Sequence, residues 1–314
     1  MHTPVLLQEC IDSLKIKKNG IYIDGTFGRG GHSKKILENL NEYGHLISFD
    51  KDIEAIEYGK KEFLDGRFDI IHSNFSQIKD YCKKRKLLGK VDGILLDLGL
   101  CSTQIDRPIR GFSFYKDGPL DMRMNQKEGI SAKEAIIRLN EQKLSEIFYY
   151  YGGERFSRKI AEKIKYELSK GKIFDTTSSL SNLISSVVPR REKIHPATRI
   201  FQALRIYINS EILELKKILN DVVKILKVSG RFTVISFHSL EHRIIKKILQ
   251  TFVTGKESHR RLPYTQVFQA SVQWIFKKKQ PSDKEKKANT RSRSAVLRTV
   301  EKTNDSFSQR KIDS

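Results

Sequence analysis

The chain has 314 residues, enough for one large α/β domain or for two domains, and its 38% of hydrophobic residues excludes global disorder. Lysine and arginine number 59 against 37 acidic residues, a formal charge of +22, so a polyanionic partner is expected, nucleic acid ahead of an anionic membrane. Three widely spaced cysteines (Cys10, Cys82, Cys101) with no CxxC pair exclude a disulfide framework and fit a reduced compartment. No secretory leader pattern opens the sequence, and no run approaches the ~20 apolar residues of a membrane span, so a soluble, cytoplasmic protein is expected.

The first third alternates strands and helices. "IYID" (21–24) reads as a short apolar strand, followed by the glycine loop "DGTFGRGGHS" (24–33) and a helix through Leu40. "HLISFD" (45–50) is a second strand with a helix from Asp52 to Phe63 after it. "FDIIHSNF" (68–75) is a third, followed by a basic helical stretch to about Leu88. The continuous apolar middle of "VDGILLDLG" (91–99) suggests a strand buried on both faces of a parallel sheet. The pattern implies an α/β, Rossmann-like, doubly wound fold.

The rhythm then breaks. The next convincing strand is "RFTVISF" (231–237), 134 residues after Asp97, whereas one βαβ crossover needs roughly 30. An inserted helical domain is therefore expected at 106–196, with the main domain at 1–105 and 197–300. Within the insertion Ser131-x-x-Glu134 is a capping box, and a long helix from Thr198 to Lys227 returns the chain to the sheet. A helix over 239–252 follows. "QVFQASVQWIF" and "SAVLRTV" then read as an antiparallel finishing pair, and 301–314 as a flexible tail.

The glycine loop fits neither phosphate-binding template. G-x-G-x-x-G starting at Gly28 fails at Ser33, and no G-K-[ST] closes a Walker loop. A ligand without phosphates but with a cationic amino-acid end would suit an acid at Asp24. Asp50, at the end of the second strand, can accept two ribose hydroxyls, and Phe75 can lie against an adenine face. Asp97 ends the fourth strand at the carboxyl edge, where such sheets bind ligands. S-adenosylmethionine has all of these parts. Each residue alone is more often a turn glycine or a solvated acid, but four hits at consecutive strand ends are far less ordinary.

These residues carry a resemblance. "HTPVLLQE" (2–9), "YIDGTFGRGGHS" (22–33), "DGILLDLG" (92–99), "RGFSF" with "DGPLDMRM" (110–124), "HPATRIFQALRIYIN" (195–209), "ISFHSLE" (235–241) and "NTRSRSAVLR" (289–298) are similar to the bacterial small-subunit ribosomal RNA cytosine-N4 methyltransferase family, the RsmH or MraW type. The resemblance covers nearly the whole chain. It implies a class I S-adenosylmethionine methyltransferase fold with an inserted helical domain, and methyl transfer to the exocyclic amine of a cytidine in the decoding region of 16S rRNA. It also implies S-adenosylmethionine contacts at Gly30, Gly31, His32, Asp50, Phe75, Asp97 and Gln104. The expected partner is 16S rRNA within the small ribosomal subunit, with the protein a monomer or a homodimer.

Cytosine N4 is a poor nucleophile because its lone pair is delocalised into the ring, so an acceptor must take an N4 hydrogen bond while position supplies much of the rate. Asp97, or the backbone carbonyl of Leu98 or Gly99, is the candidate acceptor; His238 is a polar group at the same edge that can face the base. Cys101 stands where cytosine-C5 enzymes carry a nucleophile, but no Pro-Cys pair is present and the resembled family has Ser there. "HSLEH" (238–242) fits the H-x-x-E-H metalloprotease pattern. His238 directly follows an apolar strand, so the two imidazoles are not expected on one helical face, and no metal is expected. Arg110, Arg123, Arg190, Arg191, Arg199, Arg291 and Arg293 are candidates for the RNA grip, because guanidinium forks onto phosphate or stacks on a base. Two other readings are a non-catalytic RNA-binding or ribosome assembly factor that keeps the cofactor fold, and a DNA amino-methyltransferase, which the missing Pro-Pro motif disfavours.

Overall fold

The computed structural model describes residues 4–188, 195–255 and 270–304. The chain forms two compact units, Met1–Gly99 with Leu213–Ser314, and Leu100–Ile212. Among the described residues no helix is long and apolar enough to cross a membrane.

The first unit starts with α1 (Leu7–Leu14), β1 (Ile21–Asp24), α2 (Gly31–Leu37), β2 (His45–Asp50), α3 (Ile53–Glu62), β3 (Phe68–His72), α4 (Ile78–Lys84) and β4 (Val91–Asp97). In the second unit are α5 (Ser102–Asp106), α6 (Ala132–Arg138), α7 (Glu141–Tyr150), α8 (Ser157–Ser169), α9 (Thr177–Val187) and α10 (Ala197–Ile208). The chain returns through α11 (Glu211–Ile225) to β5 (Leu226–Ser236), α12 (Ser239–Thr254), β6 (Val272–Lys279), α13 (Asp283–Ala288) and β7 (Val296–Lys302).

The seven strands form one sheet in the order β3-β2-β1-β4-β5-β7-β6. The first five are parallel, and β7 runs antiparallel to both neighbours. This is the class I S-adenosylmethionine methyltransferase fold expected from the sequence. β4 is buried from Val91 to Leu96, as its unbroken apolar run requires of a central parallel strand. Apolar layers cover both faces: Ile94, Leu96, Val234 and Val300 pack with Leu219, Ile245 and Leu249, while Leu95, Ile235 and Leu297 pack with Cys10, Leu14 and Ile36. Strand order reverses between β1 and β4, so the carboxyl ends of these two strands flank the crevice where doubly wound sheets bind ligands.

The second unit has its own core, built on Ile136, Leu144, Phe148, Ile160, Ile164, Leu180 and Ile200. The Ser131–Glu134 capping box is present at α6, with Ser131 Oγ accepting from Glu134 N at 3.2 Å.

Three expectations need correction. The long helix over 198–227 is two helices, because Ser210 takes a left-handed φ of 55°. Asn209, buried beside it, donates to Met122 O and accepts from Met124 N, both at 2.8 Å. A polar residue pinned into that segment ends the helix, a pattern that hydrophobic periodicity does not report. Consequently α10 belongs to the second unit, and the division falls at Gly99/Leu100 and Ile212/Leu213 rather than at 106 and 196. The sheet also runs into the expected tail. Glu301 accepts from Arg231 Nε at 2.8 Å and Lys302 Nζ donates to Leu226 O at 2.8 Å.

Gly111 follows the turn that carries Arg110 and has φ +72°; a Cβ there would lie 2.3 Å from Pro119 O and 2.7 Å from Asp121 N. Both obstacles are backbone, which cannot swing aside. Gly111→Ala is expected to lower stability by about 2–4 kcal/mol from the left-handed strain and the clash together. Urea denaturation checks this, and a change below about 0.5 kcal/mol, the scatter of neutral substitutions, would contradict it.

Candidate functional site

Three adjacent parallel strands, β2, β1 and β4, each end on an aspartate: Asp50, Asp24 and Asp97. The structure treats them differently. Asp24 is only 1% exposed, and its oxygens accept from Ser33 Oγ at 2.7 Å and Thr26 N at 3.0 Å. Burial raises its pKa, opposed by those hydrogen bonds. The expectation that Asp24 meets the cationic end of a ligand is therefore corrected, since its carboxyl ties the glycine loop to α2.

Asp50 accepts from Gly28 N at 2.7 Å and from Asp52 N at 2.8 Å, one bond to each oxygen. Burial pushes its pKa up to about 6 against those two backbone donors. Each oxygen keeps a lone pair, so a diol can still be accepted.

Asp97 is the exception. Its backbone N–H donates to Thr26 Oγ1 at 2.7 Å, which fixes the strand end against the glycine loop. Its side chain is quarter-exposed, yet Oδ1 is buried and has no hydrogen-bond partner among the described residues. Oδ2 lies 3.7 Å from His32 Nδ1, too far for a hydrogen bond. Burial holds the Asp97 carboxyl well above the usual range, and the charges of Asp24 and Glu241 push it further. An acid without donors, beside two other acids, is electrostatically incomplete. A cation or an N–H donor would complete it.

His32 is buried, with Nε2 3.2 Å from Val5 O. Burial pushes its pKa down to about 4, so the ring is neutral at physiological pH. With a carbonyl facing Nε2, the proton sits there and Nδ1 presents a lone pair towards Asp97. Gly30 has φ +72°, and a Cβ would meet the Phe63 ring at 2.3 Å; at Gly31 it would meet Pro4 Cγ at the same distance. Both glycines are thus demanded by neighbours within the chain itself. Phe75 begins a short 3-10 turn after β3, half-buried against the main core. Gln104 lies in the second unit, buried, where Oε1 accepts from Cys101 N at 3.1 Å.

His238 is the N-cap of α12, with Nδ1 accepting from Glu241 N at 3.4 Å. Glu241 reaches back to Phe237 N at 2.8 Å. His238 Nε2 is buried and makes no hydrogen bond among the described residues, although it stands 3.1 Å from Glu241 Oε1. His242 instead places Nδ1 2.7 Å from Ser236 Oγ, so the two imidazoles of "HSLEH" serve different local contacts.

The basic candidates also divide. Arg110 is 1% exposed, with Nη2 donating to Arg123 O and Met124 O at 3.1 and 2.9 Å. The expected RNA contact at Arg110 is corrected: it pins the loop after α5 from inside. Arg123 forks onto Asp121 at 2.7 and 2.9 Å, so a phosphate would have to displace a carboxylate. Arg199 is partly exposed, 3.6 Å from Glu154, and Arg291 and Arg293 lie on the turn Thr290–Ser294, Arg293 exposed. Arg190 and Arg191 lie outside the described residues. Sequence reasoning missed Thr26, Ser33 and Glu241, whose roles are to hold backbone at the strand ends; Ser33 and Thr26 were visible only as loop residues.

The sequence profile of the MraW methylase family matches residues 1–303. Ribosomal RNA small subunit methyltransferase H of Francisella tularensis subsp. novicida (strain U112) is 48% identical over 306 residues, 96% of this chain and 100% of that one. The protein of the same name from Francisella philomiragia subsp. philomiragia is 47% identical over 306 residues, 96% of this chain and 99% of its own.

The strain at Asp97 has a measurable sign. A carboxyl whose folded pKa exceeds its unfolded value stabilises below the unfolded value and loses that contribution as pH rises through the folded one. Asn at this position mimics the protonated form. Ligand-free Asp97→Asn is therefore expected to be more stable than wild type at pH 8, with the advantage shrinking towards pH 4. Urea denaturation across that range checks it; equal or lower stability at pH 8 would contradict it.

Proposed function

The chain belongs to the MraW methylase family, and on that premise we propose that it methylates the exocyclic N4 amine of a cytidine in the decoding region of 16S rRNA. It is an S-adenosylmethionine-dependent rRNA methyltransferase. The observation that carries the site assignment is the partnerless Oδ1 of Asp97 at the reversal of strand order.

The residues present fit the cofactor. Asp50 has acceptor capacity for the ribose diol, Phe75 a face for the adenine, and the raised acid at Asp97 a need for positive charge. Gly30, Gly31 and His32 would line the loop side. When bound, S-adenosylmethionine supplies an electrophilic methyl group on a sulfonium.

Asp97 does the remaining work at the amine. Once ionised, Oδ1 accepts an N4–H bond, which draws the lone pair out of conjugation and fixes the amine in line. The proton that leaves N4 passes to the same oxygen. Glu241 holds the backbone of Phe237 and His238, so the neighbouring strand end keeps its shape beside Asp97. His238 caps the helix at that strand end and would orient the base. Arg199, Arg291 and Arg293 would contact phosphate, with strong salt dependence.

The test is labelled methyl transfer to small subunits from cells lacking the protein, followed by nucleoside mass analysis. N4-methylcytidine is expected, and label on uridine, cytosine C5 or ribose would overturn the assignment. Asp97→Ala is expected to cost at least about a hundredfold in rate, the usual worth of a positioned proton acceptor. Cys101→Ser is expected to leave the rate within about twofold, because N4 transfer needs no thiolate adduct. Loss of activity there would instead favour C5 chemistry.

A further inference from the structure

The connection between β6 and β7 carries a carboxylate whose partner is not local. Ser282-x-x-Glu285 fits a capping box at the start of α13, and Ser282 Oγ accepts from Glu285 N at 3.2 Å. At α6 and α12 the matching glutamate reaches back to its own N-cap. Glu134 accepts from Ser131 N at 2.8 Å, and Glu241 from His238 N at 3.3 Å. The Glu285 carboxylate goes elsewhere: Oε1 accepts from Leu6 N at 2.8 Å, 279 residues away in sequence.

The segment it holds is constrained on every side. Leu6 is fully buried and takes a left-handed φ of 52°, which a side chain with a Cβ adopts only at a cost. Its N–H stands at the N-cap of α1, outside that helix's own ladder. Glu285 satisfies this donor with a charge-assisted bond. Pro4 lies against Gly31, where a Cβ would meet Pro4 Cγ at 2.3 Å.

Leu6 N–H and Val5 C=O are the two ends of one peptide group. Glu285 holds the N–H end, and His32 Nε2 lies 3.2 Å from the oxygen. A carbonyl can only accept, so this contact places the His32 proton on Nε2. A carboxylate on the N–H end polarises the peptide and strengthens its oxygen as an acceptor. His32 Nδ1 is then a lone pair, 3.7 Å from Asp97 Oδ2. The other tautomer would carry N–H at Nδ1, and a shift of about 1 Å would let it donate to Asp97. Asp97 would then be satisfied from within the chain, and its demand for an incoming positive charge would fall.

We propose that Glu285 is a positioning residue for the cofactor. By fixing the Val5–Leu6 peptide it keeps the His32 proton on Nε2, which leaves His32 Nδ1 and Asp97 as acceptors for the positive charge of S-adenosylmethionine. This rests on the cofactor reading of the site.

The experiment pairs side-chain nitrogen NMR of the ligand-free protein with titration calorimetry of S-adenosylmethionine. His32 is assigned from the spectrum of His32→Gln. Wild type is expected to show His32 protonated on Nε2, and Glu285→Ala a mixture of both tautomers. Glu285→Gln keeps an acceptor oxygen and is expected to retain Nε2–H. Cofactor affinity is expected to fall about tenfold in Glu285→Ala, the order of one hydrogen bond, and to recover to within about threefold in Glu285→Gln. At saturating cofactor kcat is expected to stay within about twofold of wild type in both, since the loss is in binding. His32 protonated on Nδ1 in wild type overturns the proposal without any variant. Weaker binding in Glu285→Ala with the tautomer unchanged marks a purely structural clip and overturns it too, as does unchanged affinity. Failure of wild type to bind S-adenosylmethionine, with His32 protonated on Nε2, instead overturns the cofactor reading.

Discussion

Desolvation of carboxylates at the carboxyl edge of the sheet is the constraint on which the site depends. β2, β1 and β4 bring Asp50, Asp24 and Asp97 to neighbouring strand ends, where burial raises all three. Ser33 and Thr26 satisfy Asp24, and the amides of Gly28 and Asp52 satisfy Asp50. Asp97 is left without donors at Oδ1. The fold meets the electrostatic cost of two acids internally and leaves the third to whatever enters the crevice.

Strand ends were the legible part of the chain. The four N-terminal strands carry short apolar stretches that stop at a polar residue, so the sequence alone places Asp50 and Asp97 at strand ends. The capping box at Ser131 was equally local, because side chain and backbone partner lie within three residues. What was hidden was long-range. Arg110 looked like a surface cation, and only the loop that folds over it, at Arg123 and Met124, shows it to be a buried tie. Asp24 looked available until Ser33, nine residues on, closed on it. The break at Asn209 depended on carbonyl and amide partners more than eighty residues away.

The large positive charge has no single location. Several basic groups are spent within the chain: Arg205 on Glu211, Arg231 on Glu301, Lys79 on Asp221. On α8 Lys163 pairs with Glu167 and Lys165 donates to Ile136 O, which leaves Lys159 exposed to add to a diffuse field that draws a polyanion without positioning it. Positioning falls to guanidinium groups that lack an internal acid. In the first unit Arg293 is exposed on the turn leading into β7, whose first residue Val296 pairs with Ser236 at the end of β5.

The most direct test of the unsatisfied carboxyl at Asp97 is proton release on cofactor binding. Titration calorimetry of S-adenosylmethionine at neutral pH, repeated in buffers of different ionisation enthalpy, counts protons exchanged. Ionisation of Asp97 against an incoming cation is expected to release up to about one proton per site, and Asp97→Asn to release none of it. Identical proton counts for wild type and Asp97→Asn would contradict the claim that burial raises this carboxyl's pKa and that a positive ligand lowers it again.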